Sequence, residues 1–210
     1  MIAYIKPSKI KIYVNTQRKS MAQVKAETGC THIINGGYFN MSTFEAVCVL
    51  IADGKTYAYE WNGEGYCFDT LPPTFKWSSK SDKNFVYGVP LVVDGKARAP
   101  IGYASAWGGA RPRTAIGVLP DGRIWLYCDQ SNKTPEQLQQ IALDAGVESA
   151  IMLDGGGSTQ GVFPSGTVYS SRIVHNFICL WAEQDSKGGD DMEIRQSILT
   201  KNDCYKAGRT

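Results

Sequence analysis

No two cysteines of the chain stand at C-x-x-C spacing. The six, Cys30, Cys48, Cys67, Cys128, Cys179 and Cys204, are separated by wide gaps, which argues against a zinc ribbon or a redox dithiol. Cys48, Cys128 and Cys179 fall in apolar, strand-like runs and read as small buried hydrophobes. The N-terminus, Met1-Ile2-Ala3-Tyr4-Ile5-Lys6-Pro7, carries no signal-peptide apolar region. Secretion by the general route is therefore not expected, and neither is a disulfide framework. Charge of one sign is also scarce. Lys+Arg total 22 and Asp+Glu 20, leaving +2, too little field to hold nucleic acid or an anionic membrane. The longest apolar run, residues 46–52, is far too short to span a bilayer, so no membrane insertion is expected. The two histidines, His32 and His175, read as structural.

What is present is an ordinary globular composition, 43% hydrophobic and 20% charged over 210 residues. A chain of this length buries roughly 70% of its unfolded surface and needs no covalent staple. Residues 1–183 read as one domain. Residues 184–210 read as a polar linker with Gly188-Gly189 and the start of a following unit. Strands are expected over 10–14, 31–34, 46–52, 55–61, 85–93, 113–119, 123–128, 148–153, 168–169 and 173–181. Asp53-Gly54, Asp94-Gly95 and Asp121-Gly122 supply turns. Residues 62–84 and 97–112, rich in Gly, Pro and Ser or Ala, are expected as loops. Ser20 caps a short helix through Ala26 that stops at Gly29. Thr134-Pro135-Glu136-Gln137 opens a longer one over 134–145, closed by Gly146. Many short strands and one crossover helix predict an α+β fold with a mixed, mostly antiparallel sheet and few helices.

Four stretches carry chemistry. Asp154-Gly155-Gly156-Gly157-Ser158-Thr159 puts a carboxylate where a buried strand meets backbone without side-chain bulk. Successive glycine N–H groups there can form an anion nest. It is not a Walker loop, which needs Lys where Ser158 stands. It is not a dinucleotide fingerprint or a nucleophile elbow either, since both need a small residue where Gln160 stands. Asn35-Gly36-Gly37-Tyr38-Phe39-Asn40 sets amides and rings beside open backbone, which suits a sugar. Arg113 and Thr114 begin a strand, with Arg113 placed to project from its end, and arginine is the favoured fork for phosphate. Arg172-Ile173-Val174-His175-Asn176 heads the last strand with a charge and an amide.

In this order N-G-G-Y-F, R-T-A-I-G, a T-x-x-Q-L helix, L-D-G-G-G-S-T and R-x-V-x-N resemble the phosphodiester glycosidase family over roughly residues 30–182. Tyr38 and His175 depart from the Phe and Pro that many members carry. The resemblance implies hydrolysis of a sugar joined through its anomeric carbon to a phosphodiester, without metal or cofactor. The active site is then expected at one sheet end, where Asn35, Arg113, Asp154 and Arg172 converge, with Gly36, Tyr38 and Asn176 in the substrate site. Asp154 is the expected ionised base or nucleophile, kept charged by arginines. Arg113, Arg172 and the Gly155–Gly157 N–H groups are the expected phosphate donors. Gly37, Phe39, Thr114, Ser158 and Thr159 complete the substrate site, and Asp129 or Asp69 is a second carboxylate. Retention or inversion turns on a carboxylate separation that the sequence does not contain.

The tail from Met192 to Arg209 resembles the opening of N-acetylmuramoyl-L-alanine amidase domains in phage lysins. A fusion to a peptidoglycan amidase is expected on that ground. The substrate would then be a bacterial wall or surface glycan, and the protein would stay in the cytoplasm until release. Two other readings compete. One is a non-catalytic module binding an anionic glycan such as a teichoic acid. The other is a metal-dependent phosphodiesterase with Asp154, Asp129 and His175 as ligands.

Overall fold

A computed structural model describes residues 1–60 and 63–183. The amidase-like tail and Cys204 lie outside the described residues. The fold is α+β, as expected, and every strand pairing among the described residues is antiparallel.

Three sheets make up the body. The first has six strands in the order Ile2–Ile5, Ile124–Lys133, Arg111–Val118, Ser149–Met152, Val89–Val93 and Lys96–Ala97. The second has five, in the order Lys55–Ala58, Leu50–Ala52, Phe85–Tyr87, Glu64–Cys67 and Thr74–Trp77. The third has five, in the order Gly166–Val168, Gly161–Phe163, His32–Asn35, Asn176–Ala182 and Pro7–Val14.

Period-two alternation assembles these sheets into layers. On the third sheet Ile34, Ile178 and Leu180 enter the main core, while Ile33, Phe177 and Cys179 face the other way and cover helix α1 (Met21–Thr28) through Met21 and Val24. On the first sheet Ile116, Ile151 and Leu126 enter the same main core. Ala115, Ala150 and Trp125 face outward onto helix α2 (Pro135–Asp144), which contributes Leu138 and Ala142. The order is therefore helix, sheet, sheet, helix, with the second sheet supplying Leu50, Tyr66 and Val86 to the shared core. Each such fully buried large side chain contributes about 1.5–3 kcal/mol relative to exposure.

Both helices begin with a capping box, Ser20 with Gln23 and Thr134 with Gln137, and Pro135 stands in the first turn of α2. Gly29 and Gly146 take the left-handed conformation after their helices, at φ 65 and 71. α2 carries the chain from Ile124–Lys133 over the central strand Arg111–Val118 to Ser149–Met152.

Residues 62–84 differ from expectation, because they hold the strands Glu64–Cys67 and Thr74–Trp77. Gly65 looks like a loop residue in the sequence. In the sheet it is required, since a Cβ there would lie 2.2 Å from the Val86 carbonyl oxygen. The N-terminal strand Ile2–Ile5, separated by Lys6 from the strand Pro7–Val14, is not among the expected strands either.

Candidate active site

The first and third sheets meet where Ser149–Met152 and His32–Asn35 end, and Asn35 ties that junction together. Its amide is 1% exposed. Its Nδ2 donates to the Asp154 carbonyl at 2.8 Å, and its Oδ1 accepts from Thr114 Oγ1 at 2.6 Å and from the Gln160 N–H at 3.2 Å. The Asp154 N–H in turn donates to the Gly36 carbonyl at 3.2 Å. Asn176 secures the next turn, with Oδ1 accepting from the Gly37 N–H at 2.7 Å. Gly36 must be glycine, because a Cβ would stand 2.0 Å from Asn176 Oδ1. Asn35, Thr114 and Asn176 are thus buried ties that fix the turn, and their polar atoms are engaged by protein rather than offered to a sugar.

Beside this junction opens a cleft of about 280 Å³, lined among others by Tyr38, Trp107, Arg111, Asp154, Gly155, Gly156, Gly157 and Arg172. Asp154 reaches the cleft yet is packed by protein on its other sides. Burial dominates and pushes its carboxyl up to about 6. Hydrogen bonds from Ser158 and the Gly155 N–H oppose that rise, as do Arg172 and Arg111 more weakly. The arginines were expected to hold it low; desolvation of the charged form wins instead. At neutral pH the group is still mostly ionised. The Gly155 N–H, expected to face a phosphate, donates to Asp154 Oδ1 at 2.9 Å.

Arg172 lies flat over the glycine turn. Its Nη1 donates to Ser158 Oγ at 3.2 Å, and a Cβ on Gly157 would come within 2.6 Å of Nη2. Gly156 takes the left-handed conformation, φ 60, which brings the turn against Arg111. The Arg111 guanidinium gives one N–H to the Ala106 carbonyl at 2.7 Å.

Arg113 corrects the expectation set for it. Its side chain runs inward, 1% exposed, with Nε on the Lys133 carbonyl at 2.8 Å, Nη1 on the Trp107 carbonyl at 2.7 Å and Nη2 on the Gly109 carbonyl. Arg113 still lines the cleft, but its fork grips the 105–109 segment and is not aimed at a bidentate phosphate contact. The strand ladder shifts register between Arg111 and Arg113, and such irregularities re-aim side chains. Arg111 takes the exposed role. Arg111 stands two residues before Arg113, and nothing in the sequence marks the shift that exposes it.

The remaining expected residues divide. Tyr38 lines the cleft, stacks on Trp107 with ring centroids 4.0 Å apart and donates its hydroxyl to the Met152 carbonyl at 3.2 Å. Phe39 packs instead beside Phe44 and His175. Ser158 and Thr159 are buried behind the glycine turn. Asp129 lies outside the cleft lining and accepts from Ser131 and Tyr127. Asp69 accepts from the Lys83 N–H and Asn84. Asp154 is therefore the single carboxylate lining the cleft among the described residues. Trp107, missed in the sequence because it sits in a Gly/Ala/Pro-rich stretch, forms the aromatic wall with Tyr38.

The metal reading is not supported by geometry. Asp154, Asp129 and His175 do not come together; among the described residues the one cluster of three ligating side chains is Cys67, Asp69 and Asp82. Asp82 in that cluster is paired with Lys76 at 2.5 Å. His175 sits among the rings of Phe39, Phe44 and Tyr57, and burial lowers its pKa. Cys30, Cys48, Cys67, Cys128 and Cys179 are buried and free. Among the described residues no helix is long and apolar enough to cross a membrane.

The fold is shared with solved structures. The catalytic domain of zebrafish N-acetylglucosamine-1-phosphodiester alpha-N-acetylglucosaminidase, auto-inhibited by its pro-peptide, superposes with a TM-score of 0.68 at 18% identity, covering 87% of this chain and 82% of that one. A hypothetical protein from Synechocystis gives 0.64 at 13% identity, over 87% and 59%. No curated protein matches the chain in sequence. The sequence profile of the phosphodiester glycosidases matches residues 28–181. That span takes in the glycine turn, the three cleft arginines and the asparagine ties, and the chain belongs to the phosphodiester glycosidase family, a family of hydrolases.

Proposed function

We propose that this protein hydrolyses the bond between the anomeric carbon of a sugar and the oxygen of a phosphodiester, with Asp154, Arg111 and Arg172 as the groups that act on the reacting atoms. One observation carries the reading: a lone carboxylate and two partly exposed guanidinium groups share one small cleft around a turn of three glycines. Water supplies oxygen to the anomeric carbon, the carbon–oxygen bond breaks, and the acceptor leaves as a phosphate monoester with the bonding electrons. The phosphate is a weak base, so no general acid is needed on the leaving oxygen. This accounts for a cleft with one carboxylate where ordinary glycosidases use two. Asp154 answers the positive charge at the anomeric carbon and activates the attack. Arg111 and Arg172 answer the negative charge that grows on phosphate, and one such preorganised donor is worth about 3–4 kcal/mol. Trp107, backed by the buried Tyr38 ring it stacks on, offers ring surface to the sugar.

A module that only holds an anionic glycan has no use for a carboxylate facing the phosphate, which favours turnover over binding alone. The tail's resemblance to amidase openings supports a bacterial wall or surface polymer as the source of the diester, and residues 1–183 as the catalytic unit. The test uses a panel of methyl diesters of sugar 1-phosphates in oxygen-18 water. Expected is release of a reducing sugar with an unlabelled phosphate monoester, abolished in Asp154→Asn. Label in the phosphate would mean cleavage at phosphorus and end the glycosidase reading.

A further inference from the structure

Arg172 belongs to two cavities. On one side it lines the cleft with Asp154; on the other it closes a separate groove of about 680 Å³ between α1 and the 167–173 segment. We infer that this second groove is the acceptor subsite, and that it takes an apolar alkyl or aryl group attached to the far oxygen of the phosphodiester. The inference rests on the proposed glycosidase reading and adds the class of the leaving acceptor to it.

Three features make the groove more than a crease. It is held in place by one buried amide, one exposed amide and a serine hydroxyl. Gln160 is 2% exposed and donates to the Arg172 carbonyl at 2.9 Å, while Gln130 donates to the carbonyls of Thr159 and Tyr169 at 2.7 and 3.0 Å. Ser170 Oγ also binds the Gly157 carbonyl, which fastens the groove wall to the glycine turn. The groove wall is thus tied to the same glycine turn against which the Arg172 guanidinium lies.

The lining chemistry selects the ligand. Met21, Val162, Tyr169 and Ile173 present apolar surface, and Tyr169 is 73% exposed. Among the described residues no carboxylate lines the groove, so the approach of a phosphodiester from this side meets no like charge there. The one ammonium there, Lys25, donates to the Cys30 carbonyl at 3.0 Å. Ser20, Thr167 and Ser171 give the groove a polar rim, while Met21, Val162 and Ile173 leave apolar surface that an alkyl or aryl acceptor covers and a glycerol or second sugar does not.

The room itself comes from α1. Ala22 and Ala26 are exposed and one turn apart on the helix, so their small side chains share the face that borders the groove. Larger residues there would fill it. A phosphodiester bridging the two cavities would place its sugar against Trp107, its phosphate at Arg172, and its acceptor over Ile173 and Tyr169.

The experiment compares the methyl and benzyl diesters of α-N-acetylglucosamine 1-phosphate, or of whichever sugar the panel above identifies, on the full chain. The two phosphates are similar leaving groups, so a difference reports the acceptor. Expected is a benzyl-over-methyl ratio in kcat/KM of about tenfold or more, carried mainly by KM. In Ala22→Trp the ratio should fall to about one. Ala26→Trp, one turn away, serves if the first variant fails to fold, as judged by its thermal midpoint. A wild-type ratio near one, or a ratio that survives both substitutions, overturns the acceptor subsite while the glycosidase reading stands. If neither diester is cleaved and no panel member is, the glycosidase reading fails and the subsite falls with it.

Discussion

Asp154 carries an energetic conflict that a titration can expose. Its carboxyl is raised by burial to about 6 from an ordinary 3.8, so between those values the folded state holds a proton that the unfolded chain has released. Stability therefore falls as pH rises from about 4 to 6 and stays lower above that, by about 2 kcal/mol after allowance for the open cleft. Asp154→Asn removes the charge while keeping the shape. We expect its thermal midpoint to exceed that of the wild type at pH 7.5 and to match it at pH 4, while kcat falls by about a thousandfold. Wild-type activity should rise along an acidic limb centred near pH 6 as the carboxylate forms. A midpoint gain that is the same at both pH values would show that the burial penalty is not the cause. Arg111 and Arg113 make the complementary case. Arg111→Ala touches one carbonyl contact and should leave stability within about 0.5 kcal/mol, yet lower kcat/KM at least about tenfold. Arg113→Lys leaves buried carbonyls without donors in the 105–109 segment, and urea denaturation should read a loss of about 2–4 kcal/mol. Its effect on kcat/KM then follows from a loosened Trp107 wall, which makes Arg113 a positioning residue.

The glycine turn shows how an element, rather than a side chain, shapes the site. A methyl group on Gly157 would meet only the far end of Arg172, at 2.6 Å from Nη2 and 2.7 Å from Cζ. That end can swing away. Gly157→Ala is therefore expected to keep its stability within about 0.5 kcal/mol and to lose about tenfold in kcat/KM as the guanidinium leaves its place. Gly36→Ala meets Asn176 Oδ1 at 2.0 Å and the Asn176 backbone oxygen at 3.3 Å inside a buried turn, so it should cost about 3 kcal/mol of folding stability, read by denaturation. These elements were legible to different degrees. The two helices announced themselves through Ser20, Thr134 and Pro135 at their starts, because a cap is a local device. The turns at Asp53-Gly54 and Asp94-Gly95 were equally plain, and both residues of each pair have positive φ. Gly65 misled, since the crowding that demands glycine there comes from Phe85 and Val86 on a neighbouring strand. The exchange of roles between Arg111 and Arg113 was hidden for a similar reason: a register shift against the next strand is not a property of either residue.

At the scale of the molecule, order along the chain was readable and depth was not. The motifs stood in sequence, but Asn35 and Asp154 are brought to one point only by the packing of two sheets, with Asn35 reaching across 119 residues to the Asp154 carbonyl. Whether a polar side chain there faces ligand or interior depends on that packing, and the asparagines proved to face inward. The same packing bears on where the folding unit ends. The last described strand, Asn176–Ala182, lies between His32–Asn35 and Pro7–Val14. After it the Ala182 N–H donates to Thr31 Oγ1 at 2.9 Å, the Glu183 N–H donates to the Lys6 carbonyl at 2.8 Å, and the Glu183 carboxylate pairs with Lys6 at 2.8 Å. Among the described residues, those in the core clusters run from Met1 to Ala182 and close around the sheets that carry the cleft. Since stability follows buried apolar surface and satisfied backbone, residues 1–183 should fold as a unit with the cleft complete. A chain ending at Glu183 is expected to melt within about 2 °C of the 210-residue chain and to keep its kcat/KM on the methyl diester within about twofold. Calorimetry on the two chains at equal concentration checks this. A midpoint lowered by about 5 °C or more would mean that the amidase-like tail packs on this body and belongs to its fold.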